Sequence, residues 1–512
     1  MANVSSVPGM TKARLWMVLG ALMLAVLLAS MEISIIATAL PTIAGEFNAF
    51  ESFAWVGTAY VAASAIGTPL LGKLSDLYGR RLVFQATMAM FIVGSLLCGL
   101  SQSMNQLIGA RVLQGFGGGA IQALAFAILG DILPPRERGR YIGYFTLAFV
   151  GAALLGPLIG GFIIDHWTWP WIFYINIPLA GIASVVSYFA LDLPFPRRKA
   201  RIDFTGAALL AVTIGGLMIA LEIGGKDGWG KPGVLAMLVG VAVGLVLFVL
   251  VERRAVEPMI PLHLFSNRVV LMCVIAGSCA GTIAYGAGQF LPLYFQDSLF
   301  VSPTESGLRL LPQMVGVTLG TFGIGRLILL TGRYKSFPVV GSTVAAAGAF
   351  AISFITGSTA YVWLIAPMIG LGFGMAAVFT TTSIATQNAV EFRDLGVATA
   401  TVMFFRMLGG AVGLAAFGTI LNATIRRELP ARLGITADAA ADLIREPSSI
   451  AALPAASRDA VAETLASGVG QIYLVSAVVM IIGLIASILM PEEPLRPRAG
   501  LSDALEQVTS QA

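Results

Sequence analysis

The sequence predicts an all-α membrane protein with fourteen transmembrane helices, and three observations carry that expectation. Of 512 residues, 57% are apolar and 11% are charged, whereas a soluble chain carries about 25% charged residues. Apolar segments of spanning length recur from one end to the other, separated by short polar turns. Lys and Arg gather on one side of those segments. At about 20 residues per span, the roughly 290 apolar residues suffice for about fourteen crossings. This composition excludes a soluble enzyme, a nucleic-acid binder and a disordered chain.

The apolar segments fall at about 15–41, 53–71, 82–101, 106–130, 141–164, 170–190, 205–223, 233–251, 269–292, 308–330, 338–356, 361–385, 396–421 and 471–490. The first begins after Lys12 and Arg14 as a signal peptide would. It runs on to Pro41 with no small-residue cleavage site, so it reads as the first span. An even number of spans puts both termini on one side. Twenty-one Lys and Arg residues, from Lys12 and Arg14 to Arg496 and Arg498, lie on that side, against Lys226 and Lys231 in the short loops opposite. Positive charge marks the cytoplasmic face, so both termini are expected there. Residues 422–470 form one long external segment with five arginines, expected to fold as two short amphipathic helices. They read as a plain surface cap or as a gate or docking element.

The net charge of +4 is small. Cys98, Cys273 and Cys279 sit in apolar runs, so no disulfide framework is expected. His166 and His263 lie in different loops and are too few for a metal site, so neither a metal nor a cofactor is expected.

An internal repeat organises the chain. Gly72-Lys73-Leu74-Ser75-Asp76-Leu77-Tyr78-Gly79-Arg80 aligns with Gly325-Arg326-Leu327-Ile328-Leu329-Leu330-Thr331-Gly332-Arg333. Gly115–Gly119 aligns with Gly370–Gly374, and Arg136–Gly139 with Arg393–Gly396. The repeat implies a six-helix bundle over 1–203, two inserted helices over 204–252, a second bundle over 253–491 and a tail over 492–512. Parallel repeats of this kind place a substrate site between the halves. The glycine clusters lie inside apolar helices and let neighbouring helices approach closely. Gly225–Lys231 has phosphate-loop spacing, but Pro232 replaces the hydroxyl residue and no strand precedes it.

The turn Gly72–Arg81 resembles that of the major facilitator superfamily, whose loop between spans two and three reads Gly-x-Leu-Ala-Asp-x-x-Gly-Arg-Arg/Lys; here Ser75 stands for Ala. The resemblance implies a conformational latch made of Gly72, Asp76, Gly79, Arg80 and Arg81. A plain positively charged turn is the simpler reading. Leu107–Gly115, with Arg111, resembles the fourth-span motif of the same family. Gly151–Gly161 is similar to its antiporter fifth-span motif, which gives roles to Gly156, Pro157, Gly160 and Gly161. Met31–Pro41 resembles the first-span motif of the fourteen-span drug/proton antiporter branch (EmrB/QacA-like multidrug exporters), with Glu32 in place of Asp. The resemblance covers about 12–490. It implies a major facilitator fold and a proton-coupled antiporter that exports lipophilic, often cationic drugs by alternating access. Antibiotic resistance and a bacterial plasma (inner) membrane setting follow from the same likeness. Its partners would be small lipophilic molecules, protons and membrane lipids, with a periplasmic adaptor as a further option and no nucleic acid. Export of an endogenous lipid or siderophore, and a non-transporting membrane sensor, are the alternatives.

Three charges fall deep within spans: Glu32, Arg111 and Arg406. Each costs about 2.5–3.5 kcal/mol unless it is paired or wet. By helical rise, Glu32 and Arg111 both fall in the outer half, within reach of one another, and Arg406 falls near the midplane. Burial and a nearby arginine act in opposite senses on a carboxyl, which suits Glu32 to a protonation switch; a static pair that fixes helix packing is the other reading. Proton coupling is therefore expected at Glu32, Arg111 and Glu222. A substrate cavity is expected around Glu32, Tyr60, Gln289, Tyr294 and Arg406. Asn176, Tyr285, Phe290, Asp297, Phe379 and Met403 are further candidates.

Overall fold

The computed structural model describes residues 10–47, 53–191, 203–255, 258–301, 303–391, 394–437, 439–440, 443 and 453–495. The side chains of Pro157, Glu222 and Asp297, and the tail from 496, lie outside the described residues. Among the described residues the regular structure is all helical. Eleven of these helices are long and apolar enough to cross a membrane. Inside a bilayer the helix is the form that satisfies every backbone N–H and C=O from within one segment, which is why apolar runs fold this way.

The first half of the chain builds α1 (Lys12–Glu46), α2 (Phe53–Tyr78), α3 (Arg80–Gly99), α4 (Met104–Ile132), α5 (Pro135–His166), the short α6 (Trp171–Tyr174) and α7 (Asn176–Ala190). Two further helices follow, α8 (Phe204–Asp227) and α9 (Pro232–Glu252). The second half continues with α10 (Arg268–Gly281), α11 (Phe290–Leu293), α12 (Pro303–Arg309), α13 (Leu311–Thr331), α14 (Ser336–Ile352), α15 (Val362–Ala389), α16 (Leu395–Leu433) and α17 (Ala455–Leu489). Local chemistry sets several starts. The Ser103 hydroxyl accepts from Gln106 N at 3.4 Å, the Asp203 carboxylate accepts from Gly206 N at 2.8 Å, and Asn267 Oδ1 accepts from Val269 N at 2.9 Å. Pro232 occupies the first turn of α9.

The packing repeats between the halves. In the first, α1 lies on α5 and α7, α2 on α4, and α3 on α4 and α7; in the second, α10 lies on α16 and α17, α13 on α15, and α14 on α15 and α17. Glycines set the closest of these contacts. A Cβ on Gly117 would stand 2.8 Å from Phe91 N in α3, and one on Gly374 would stand 2.6 Å from Ala345 N in α14. The glycine clusters of the two repeats thus seat equivalent helix pairs. α8 rests on α2 and α16, touching both halves, and α9 rests on α8. The outer face of α9 leaves Leu235, Val239, Val243, Val246 and Leu250 exposed, as a lipid-facing helix does.

Two segments are more irregular than their apolar runs suggest. The ninth forms one candidate crossing, Arg268–Gln296, but not one regular helix. After α10 it passes through a π turn (Thr282–Gly286), a 3-10 turn (Ala287–Gln289), α11 and a second π turn (Tyr294–Ser298). Pro292 lacks a donor, and Gly281 and Gly286 admit the backbone of α16 against the segment, so the ladder is repeatedly reset. The described part of 422–470 chiefly continues two spans, where two short surface helices were expected; residues 438, 441–442 and 444–452 lie outside the described ones. α16 runs on through Leu433 and α17 begins at Ala455, so much of the segment extends two spans. Ile425, Leu429, Val461, Leu465 and Val469 are buried in one cluster with the second-half core, and that burial holds the extensions upright.

Candidate functional site

Glu32 and Arg111 meet. Glu32 lies in α1 and is fully buried; Arg111 Nη1 donates to its Oε2 at 2.5 Å. Asn176 Nδ2, at the break between α6 and α7, donates to the other carboxylate oxygen. The guanidinium is saturated further: Nε donates to Val56 O at 3.2 Å and Nη1 to Gln114 Oε1 at 2.7 Å. Gln114 is in turn held by Ser95, its Nε2 donating to the hydroxyl at 2.8 Å. Tyr60 lies flat beneath the arginine, ring centroid 4.3 Å from Cζ, and its hydroxyl donates to Ala29 O at 2.9 Å. Five helices of the first half thus converge on one carboxylate. The expected Tyr60 belongs to this centre as a buried wall rather than as an accessible lining residue. Asn176 is a direct partner, and Gln114 is a participant that sequence reasoning did not single out.

Arg406 is solitary by contrast. It is buried in α16, with Cζ 4.0 Å from the centroid of Phe379 on α15. Nη2 reaches Thr382 Oγ1 at 3.4 Å, and Phe379 O and Ser383 Oγ at 3.5 Å, while Nε has no hydrogen-bond partner. Tyr285, 39% accessible, stands close enough for electrostatic interaction with it. Gln289 is exposed on the same irregular segment. Tyr294 does not join this group. Its hydroxyl donates to Thr356 O at 2.8 Å, and the ring is wholly buried with Phe290 in the second-half core.

The turn Gly72–Arg81 sits at the seam between halves. Gly79 takes φ 96, a conformation open to glycine, and so lets α2 reverse directly into α3. Asp76 accepts from Gly396 N at 3.2 Å and Val397 N at 2.6 Å, the free amides that open α16. Arg80 bridges Asp76 at 2.5 Å and Asp131 at 2.6 Å, and also donates to Ser75 Oγ at 2.5 Å. Gly72 lies so near α16 that a Cβ would stand 2.5 Å from Ala400 Cβ. Arg81 makes a contact within the first half: its guanidinium lies over the Tyr188 ring at 4.2 Å, joining α3 to α7. Asp131 was missed. It closes the fourth apolar segment, and its place beside Arg80 depends on how α4 is rotated. In the fifth-span motif, Gly156 brings α5 against α1, where a Cβ would stand 3.2 Å from Ile35 N. Gly160 is buried, whereas a Cβ on Gly161 would meet open space.

The described hydrogen bonds between halves all lie at this end: the two to Asp76, and Gln387 Nε2 donating to Phe126 O at 3.1 Å. Second-half residues entering the first-half core, such as Ile324, Ile328, Ile384 and Ala400, cluster here too. The second-half core toward the other end is built from second-half residues alone.

Matched helix pairings, charges buried within each half and a seam closed at one end define a multi-pass helical membrane protein. The chain belongs to the Major Facilitator Superfamily, which it matches over residues 22–414. It is 32% identical over 500 residues to "Multidrug resistance protein 3" of Bacillus subtilis (strain 168), covering 95% of this chain and 97% of that protein. It is also 32% identical over 405 residues to "Multidrug transporter protein MdtP" of the same organism, covering 78% and 74%. The crystal structure of the human organic anion transporter MFSD10 (TETRAN) aligns with a TM-score of 0.61 at 14% identity, covering 91% of this chain and 99% of that one, a likeness of fold. The protein is thus a major facilitator transporter with multidrug-efflux relatives.

Proposed function

We propose that the chain is a fourteen-span, proton-coupled exporter of lipophilic small molecules, cationic drugs among them, working by alternating access. The observation that carries this reading is the Glu32–Arg111 pair, closed off from solvent and ringed by Asn176, Gln114 and Tyr60. A permanently neutralised pair could be replaced by apolar packing at little cost. A carboxylate that exchanges a proton needs what this centre supplies: one cation that favours its charged form, an amide that steadies either form, and a barrier to solvent. Protonation releases Arg111 from Glu32, and a cationic substrate competes for the same carboxylate once the pair opens. Among the described residues, the eleven helices of spanning length together with α2, α5 and α14 support a count of fourteen, with bundles over 1–203 and 253–491 flanking the inserted pair. With the termini cytoplasmic, the seam at Asp76 is the cytoplasmic gate in its closed position, and this arrangement is the outward-facing one.

The test is purified protein in vesicles under an imposed pH gradient, with a lipophilic dye cation as the probe. Native protein is expected to move the dye against its gradient and to release protons on substrate addition. Glu32→Gln is expected to lower both at least ten-fold while the chain stays folded. Undiminished substrate-driven proton movement in that variant overturns the reading.

A further inference from the structure

Two arginines lie buried in the bundle core, and their surroundings differ in kind. Arg111 is met by a carboxylate, a side-chain amide and a backbone carbonyl at 2.5–3.2 Å. Arg406 finds three neutral oxygens at 3.4–3.5 Å, at the edge of hydrogen bonding, and its Nε finds none. Among the described residues no carboxylate interacts with it; Tyr285 and Cys273 are the groups whose charge would reach it. A guanidinium presents five donors in a planar fork that matches a carboxylate. Leaving it unpaired inside a membrane protein costs several kcal/mol unless a partner arrives. Nor is it walled off by a close-packed core: Phe379 beneath it is partly accessible, and Tyr285, which interacts with it, is exposed. An aromatic floor, an accessible tyrosine and an unsatisfied cation together form a receptor for an amphiphile with one acidic group.

We propose that Arg406 is an anion-docking residue of the transport path: it pairs with the carboxylate of lipophilic organic acids whose apolar body lies against Phe379 and Tyr285. This rests on the exporter reading and extends it. The two halves then offer opposite charges, Glu32 in the first and Arg406 in the second, and acids as well as bases are substrates. A substrate carboxylate forms the bidentate pair that no residue supplies, and in leaving it restores the long contacts to Thr382 and Ser383.

The experiment uses the full chain in nanodiscs of zwitterionic lipid and three probes of one shape: 1-naphthaleneacetic acid, its primary amide and 2-(1-naphthyl)ethylamine. Native protein at pH 7.5 is expected to bind the acid at least ten-fold more tightly than the amide. Arg406→Gln is expected to abolish that preference while holding the amide and amine affinities, and Arg406→Lys to keep part of it, since a point charge replaces a fork. Equal binding of acid and amide by native protein, or no binding of the acid, overturns the proposal without recourse to any variant. A preference that survives in Arg406→Gln overturns it as well. Repeating the measurement with anionic phospholipid separates the two sources of the anion: the acid loses affinity if headgroup phosphates occupy Arg406, which places lipid rather than organic acid there and overturns the assignment. Gradient-driven movement of the amine probe is read in parallel on the same protein reconstituted in sealed vesicles. Its loss in native protein defeats the exporter reading, while its persistence with no acid preference defeats the anion site alone.

Discussion

At the scale of single residues, Glu32 and Arg111 meet as a buried pair, whereas Arg406 meets no carboxylate among the described residues. Removing Arg111 leaves Glu32 without a cation beside Asn176 and Gln114, and losing one member of a buried pair costs about 3–5 kcal/mol. Arg111→Met is therefore expected to lower the melting temperature in detergent well below that of the native chain. Glu32→Met added to it is expected to recover most of the loss, because the pair as a whole is close to break-even against apolar packing. A double variant no more stable than Arg111→Met would show that the arginine acts through Val56 and Gln114 rather than through the carboxylate. The sequence placed Glu32 and Arg111 at compatible depths by counting residues, and that much was legible. Asn176 was one undecided polar residue among several, and Gln114 had no signal beyond lying three residues from Arg111, one helical turn along the same face.

At the scale of elements, small residues decide which helices touch. Gly117 admits the α3 backbone around Thr87 and Phe91, whereas Gly109, on the same helix, has nothing within 4 Å of where a Cβ would stand. Gly117→Val is expected to separate α3 from α4 and to abolish recovery of folded protein, while Gly109→Ala is expected to leave yield and melting temperature within error. Size-exclusion profiles of the two variants check this. At the turn into α3, Gly79→Ala forces a side chain into φ 96, ψ 146, a region essentially confined to glycine, at a cost of about 1–3 kcal/mol, so a loss of stability is expected. The glycine patterns were readable because close approach demands the absence of a side chain whatever the partner is. The irregular path through 282–298 was not readable: hydropathy averages over a turn or more and cannot register a π or 3-10 reset. The extension of α16 and α17 was hidden for a related reason. Their arginines signalled a water-facing segment, while the apolar stripe from Ile425 to Leu429 needed a partner stripe on α17, thirty residues on, before it meant a continued helix.

At the scale of the whole molecule, one end of the seam between halves is closed by charge. Asp76 holds two amides of α16 while Arg80 ties it to Asp131. Charge-assisted bonds of this kind are worth about 1.5–3 kcal/mol. Asp76→Asn is expected to weaken the closure and shift the population toward states open at this end, by about ten-fold or more. Distances between spin labels placed across the two halves at this end are the readout. A distribution unchanged from that of the native chain would mean that the apolar contacts of Ile324, Ile328 and Ala400 close the seam unaided.

The 58 charges among 512 residues, placed by position, determined that this is a membrane protein, and the repeat and the tight turn at Gly79 followed from constraints that act over a few residues. Backbone groups in lipid must be satisfied locally, and a glycine is needed wherever a chain reverses or a helix is crowded. Which charges meet was decided by the tertiary structure alone. Glu32 and Arg111 are 79 residues apart, and Asp76 and the amide of Val397 are 321 apart. Their encounter depends on the rotation and depth of helices set by packing against others. The same packing left Arg406 without a carboxylate among the described residues, a fact that no spacing in the sequence records.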